Sequence, residues 1–368
     1  MAQSHKRTGV AGAHRGYPGG MSWRTWYCAA IVAALACAGC STPGRSLHSA
    51  PESVSVRVQT PLRDPVWSYR TGSLVALTED GRLAAVDHAD DPGAVITRLS
   101  VPLDAGRNVQ ISRADDRTVF VPQPARGRVA AVELTGLRQV GDIDAGPAPS
   151  YLSEVSGMRI LLALSADGST VTPVEEFGLR QLPAARVAAG AAGVVDGANR
   201  GRAIEYHVHG PSGVSYYKAS FQRQSPPEQR GSYDAEVVAA AGDGTATSRL
   251  YLADAARDTL YTVESARGGE ELQEIGRAPV SSPIRYLGSD ETRVYAATDT
   301  DVTVFESASV TGFPHASIAM LRVIDYRAGL PSGPARSAPL SGMAVGADRV
   351  YLTLRGQPVV VSVAKPRL

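Results

Sequence analysis

Two pairs of side chains in this 368-residue chain have types and spacings that could do chemistry. Cys37 and Cys40 bracket two small residues in the run ALACAGCSTPG (34–44), and Cys28 lies just upstream. Thiols so spaced can share a metal, pack in a core, or be modified as nucleophiles. His207 and His209 alternate within RAIEYHVHGPSGVSYYKA (202–219), and alternation along a strand puts both imidazoles on one face, where they could meet one metal ion. The remaining histidines after the cysteine run, His48, His88 and His315, fall in unrelated segments, and no cysteine follows Cys40. The histidine pair therefore reads as a polar strand face, and the body is expected to carry no metal site, no cofactor and no disulfide.

Few other patterns carry chemistry. No GxSxG, HExxH, P-loop or GxGxxG occurs, and the carboxylates, though many, show no ordered acid/base spacing. No catalytic residue is assigned. Charge is nearly balanced, with 37 basic and 36 acidic residues, so nothing points to a nucleic-acid partner. Lys6, Arg7, Arg15 and Arg24 precede Cys40, and without them the acidic residues are in excess. Lysine occurs only at Lys6, Lys218 and Lys365, and asparagine only at Asn108 and Asn199. This Arg-rich, Lys-poor usage resembles that of a high-GC actinobacterial genome, a property of codons rather than of function.

The elements around the cysteines decide their role. Residues 26–39, WYCAAIVAALACAG, carry no charge and are too short for a typical membrane span of about 20 apolar residues. With Arg24 before and Ser-Thr-Pro-Gly after, they suit the apolar region of a secretory signal. Met21 begins a normal-length signal by itself, which makes residues 1–20 a candidate over-called start. The run resembles a bacterial lipobox: Ala38 and Gly39 precede Cys40 and Ser41 follows, although Cys37 stands where Leu is usual. That resemblance implies a lipoprotein signal over 21–39, acylation at Cys40 (Cys37 the alternative) and a lipid-anchored polar tether over 40–52. A diacylglycerol supplies two chains, enough for stable anchoring.

Beyond the tether, a unit of strand, turn and strand recurs, and it must position any site. Aligned on Leu74, Val119, Ile160, Ile204, Leu250, Val294 and Val350, the copies are spaced 45, 41, 44, 46, 44 and 56 residues apart. Each hairpin is flanked by a further short strand on either side, such as SYLSEV (150–155) and RQVGDID (138–144). A period near 40–45 residues with four strands per unit is the signature of propeller blades. The expected fold is all-β: a seven-bladed β-propeller over 53–368. SVSVRVQ (53–59) would supply the outer strand missing from the last copy and close the ring by pairing the two ends. Blades two and three resemble the YncE-type YVTN (cytochrome-d1-like) repeat in AGRNVQISRADDRTVFV, VAAVE and LRQVGDI, with Asp115-Asp116 in place of Asp-Gly and Asn108 near the usual Pro. SADGST (165–170), TEDGR (78–82) and AGDGT (241–245) read as turns.

Loops joining one blade's fourth strand to the next blade's first gather at one channel mouth. Arg107, Asn108, Tyr151, Arg285 and Tyr286 fall in or beside them and form a candidate binding rim. The longest unit holds residues 306–340, whose Phe313 and His315 read as exposed candidates. The sequence thus points to a monomeric, membrane-anchored, extracytoplasmic propeller that binds a protein or envelope ligand without catalysis. The alternative is a propeller enzyme of the lactonase or glycan-acting kind working at the channel mouth.

Overall fold

Strands that are apolar on both faces build the molecule. Ser73–Thr78, Ile160–Ser165 and Arg349–Leu354 are buried at every position. Such runs cannot sit in a sheet with one wet face; each must lie between two other sheets. The computed structural model describes residues 52–187, 192–198, 200–223, 225–254, 257–266 and 271–367. Cys37, Cys40, the signal and the tether up to residue 51 lie outside the described residues.

Seven antiparallel sheets form a seven-bladed β-propeller. Blade 1 contains Leu62–Ser68, Ser73–Thr78, Arg82–Asp87 and Ile96–Pro102, from the axis outward. Blade 2 follows with Gln110–Ile111, Thr118–Gln123, Arg128–Glu133 and Arg138–Ile143. Blade 3 has Pro149–Val155, Ile160–Ser165 and Thr170–Glu175, and its outer strand is split into Arg180–Gln181 and Ala185–Arg186. Blades 4, 5 and 6 begin at the axis with Val194–Gly197, Val237–Gly242 and Tyr286–Ser289. Blade 7 contains Leu340–Val345, Arg349–Leu354 and Gln357–Ala364, and its outermost strand is Ser53–Arg57 from the other end of the chain. Ser53 pairs Val363 and Arg57 pairs Val359, so the ring closes as the sequence implied. Closure covers the edge of Gln357–Ala364, which would otherwise be open to a second molecule.

The described core divides into seven apolar clusters, one between each pair of neighbouring blades. In blade 1, Val75 and Leu77 face blade 2, whereas Leu74 and Ala76 face blade 7. Blade 3 repeats this, with Leu161 and Ala163 toward blade 2 and Ile160, Leu162 and Leu164 toward blade 4. Strict apolar–polar alternation is therefore replaced, in the middle strands, by side chains that alternate between two dry interfaces. Near the axis the blades approach so closely that side chains are excluded. A Cβ on Gly197 would stand 2.1 Å from the Glu154 carbonyl oxygen, and one on Gly342 2.2 Å from Pro65 Cδ.

The insertion within 306–340 is held by a buried arginine. Arg327 donates to the carbonyls of Asp299 (2.7 Å), Ala335 (3.0 Å) and Ala338 (2.6 Å), which fixes the loop against blade 6. Phe313 is buried at 3% exposure, correcting the expectation that it lies on the surface. It packs among Ile318, Phe305 and Ala308, and its ring lies over Gly276, whose missing side chain leaves the space. His315 is exposed, as expected.

Candidate functional site

Each inner strand starts at the same end of the ring, so the loops entering the inner strands meet there. Around that mouth Asp64, Arg107, Asn108, Tyr151, His209, Arg285 and Tyr286 line a cavity of about 410 Å³. Five of the rim residues read from the sequence are thus brought together. Phe313 and His315 belong to the loop before the outer strand of blade 6 and are not among the cavity's lining residues.

The five do not play the same part. Asn108 donates from Nδ2 to the Leu152 carbonyl (2.7 Å) and accepts the Leu152 N–H at Oδ1 (2.8 Å). Its amide thus copies a strand pairing between blades 2 and 3 and is spent on the scaffold. Arg107 lies with its guanidinium carbon 5.1 Å from the Tyr151 ring centroid, over its face, and donates to the Gly193 carbonyl of blade 4. Arg63 fixes the loop beneath it, donating to the carbonyls of Arg107 (2.8 Å) and Gly106 (3.0 Å) and to Asp64 (2.8 Å). Across the mouth Arg285 pairs with Asp299 at 2.8 Å, with both side chains well exposed. An exposed pair of this kind holds geometry more than it stabilises.

Burial pushes the Tyr286 phenol up to about 12, with Asp64 adding to the effect. Tyr151 is raised too, first by burial and then by Asp196 and Asp64. Both phenols therefore remain neutral donors at physiological pH. Burial also raises Asp64, against the opposing pull of Arg63 and Arg107. Val194, Val238, Leu287 and Met343 complete the wall. Such a site pairs two aromatic rings and two guanidinium groups with aliphatic walls, the composition of binding hot spots.

His207 and His209 extend the site into the seam between blades 4 and 5. Ile204, Tyr206 and Val208 of the strand Ile204–Gly210 face the apolar interface with blade 3. The odd-numbered ones, Glu205, His207 and His209, are buried on the opposite face. Asp196 pairs His207 across the strands. Burial pushes His207 down to about 3 and His209 down to about 4, so both are neutral. Both Nε2 atoms and Asp196 Oδ2 are buried without a hydrogen-bond partner. Among the described residues no group of three or more His, Cys, Asp or Glu side chains could hold a metal ion. The polar strand face read from the sequence is thus present, and it is an interior face.

Asp196 gives a pH signature. Burial pushes its carboxyl up to about 6, against the Gly242 backbone N–H. A raised carboxyl favours the folded state while protonated, and that contribution is lost as pH rises through about 6. The two lowered histidines act oppositely, but wild type and an Asp196 variant share them. Asp196→Asn should therefore gain melting temperature relative to wild type as pH increases from 4 to 7.5. A difference that is flat with pH would show that the carboxyl is not raised.

No family model matches the chain, and no curated protein does. Solved structures do. A chain of the Mitotic Checkpoint Complex is 10% identical with a TM-score of 0.64, over 92% of this chain and 99% of that one. U3-55K is 10% identical with a TM-score of 0.62, over 85% and 98%. A chain of Kuenenia stuttgartiensis hydrazine synthase is 10% identical with a TM-score of 0.63, over 84% and 97%. At such identity the likeness is one of fold, and a propeller fold hosts many unrelated functions.

Proposed function

We propose that this protein is a lipid-anchored, extracytoplasmic propeller that binds a protein or envelope component at its channel mouth, without catalysis. The observation that carries the proposal is the convergence of Arg107, Tyr151, Arg285 and Tyr286, from three blades, on one cavity with aliphatic walls. A partner would insert an aromatic or acidic side chain there, between ring faces and guanidinium groups. The ring is closed by its own two ends, so a monomer suffices.

Strand direction supports the anchoring half. Inner strands start at the mouth, so the outer strand of each blade starts at the opposite face. Ser53–Arg57 is such an outer strand, and the described chain enters the ring on the face away from the mouth. An anchor carried by the segment before Ser53 would join the ring on the face away from the mouth. Among the described residues no helix is long and apolar enough to cross a membrane. Palmitate labelling is expected in wild type and lost in Cys40→Ala, with the protein shifting from the membrane to the soluble fraction. Labelling retained in Cys40→Ala but lost in Cys37→Ala would move the anchor to Cys37. An unlabelled wild type would remove it.

The enzymatic alternative draws on Asp196 and His209 beside the mouth. Lactone or glycoside turnover that disappears in Asp196→Asn would favour it over binding.

A further inference from the structure

A second cavity lies away from the mouth, between blades 4 and 5, with a volume of about 680 Å³. It opens where the second strand of blade 4 begins and its third ends, on the face opposite the mouth. Glu205 is part of its lining and is only 3% exposed. Glu205 Oε1 takes both the Tyr216 hydroxyl and the Lys218 ammonium, each at 2.7 Å. Oε2 has no donor from the described residues. It lies beside Gly201, where a Cβ would stand 2.8 Å from Oε2 and 2.9 Å from Thr247 Cγ2. Gly201 has φ +127, a conformation other residues rarely adopt, so glycine is required where the backbone passes this close to Oε2.

We propose that this cleft binds a small neutral polyhydroxylated ligand, a sugar or polyol, through Glu205 Oε2 and Lys218. The charges decide the class. Glu205 pairs with Lys218, and Glu228 pairs with Arg230 at 2.7 Å, so the lining is neutral as it stands. A charged ligand would have to compete with one of these pairs, and drawing Lys218 away would leave the Glu205 carboxylate buried without its ammonium. A hydroxyl breaks neither. It donates to Oε2 and accepts from the ammonium beside Oε1, and a neighbouring hydroxyl finds Ser220, Thr247, Ser248 or Ser265 on the wall. A carboxylate oxygen of a buried residue, with no donor among the described residues, favours a ligand that supplies one.

The test is saturation-transfer NMR and calorimetry on the folded protein with glucose, mannose, galactose and sucrose, beside arginine and inorganic phosphate as charged probes. Saturable binding of at least one sugar is expected. It should weaken at least tenfold in Glu205→Gln and disappear in Thr247→Arg, which fills the cleft beside the carboxylate. Tyr151→Ala, at the mouth, should leave it unchanged, so this site fails or stands independently of the mouth. Near-UV circular dichroism confirms that each variant folds. If Glu205→Gln does not fold, Thr247→Arg alone carries the test. The proposal is overturned if none of the four sugars binds at millimolar concentration, if arginine or phosphate binds in their place, or if sugar binding survives Thr247→Arg.

Discussion

Val56→Asp is expected to cost about 3–5 kcal/mol and to destroy the ring as a stable monomer. Val56 is fully buried in the strand Ser53–Arg57, opposite Val360 of blade 7. An aspartate there would be a buried charge without a partner, which is among the most destabilising single changes. The loss would not stay local. Releasing Ser53–Arg57 uncovers the edge of Gln357–Ala364 and also frees Val58 and its neighbours between blades 7 and 1. An uncovered edge invites pairing with another chain. A lowered melting temperature together with a new dimer or larger species in light scattering is the expected result. Arg57→Asp, one residue on and exposed, should change stability by no more than about 0.5 kcal/mol. Equal behaviour of the two variants would mean that this strand does not close the ring.

Phe313→Ala is expected to cost about 3–5 kcal/mol, the usual range for deleting a buried aromatic side chain. The ring fills the hollow over Gly276 and touches Ile318, and the turn that carries it is itself strained. Phe313, His315 and Ala316 have φ of 56, 59 and 54, values that non-glycine residues adopt only when packing holds them. Removing the anchor should release this turn as well as empty the cavity. His315→Ala, exposed on the same turn, should be within about 0.5 kcal/mol of wild type in chemical denaturation. If Phe313→Ala were as mild, the residue would be a surface group after all, and its role as a binding residue would be open again.

Repeat spacing, hairpin positions and the missing outer strand of the last copy were all legible in the sequence because each is local. A strand–turn–strand unit declares itself within twenty residues, and a ring needs only enough of them. Arg107, Tyr151, Arg285 and Tyr286 were legible as a group for the same reason: the loop between outer and inner strands is a fixed place in every blade. What escaped depends on which neighbour a side chain meets. Nothing in the sequence around Asn108 announces that its amide pairs with Leu152, 44 residues away. Phe313 looked exposed because it lies in an insertion, but Gly276 on the adjoining blade leaves a hollow of its size. The seam of Asp196, Glu205, His207 and His209 showed only as two alternating histidines. Their burial follows from blade 5 covering the odd-numbered face of blade 4. A strand apolar on one face and titratable on the other was the available signal, since the equivalent strands of blades 1 and 3 are apolar on both.

Site-specific photo-crosslinking in intact cells tests binding at the mouth most directly. A crosslinker in place of Val238, a half-exposed residue of the mouth wall, is compared with one in place of Val140 on the outer strand of blade 2. A discrete adduct from position 238 alone, lost when Arg107→Ala and Tyr286→Ala are combined, is the expected result. No adduct from position 238, or the same adduct from both positions, would contradict a binding site at the mouth.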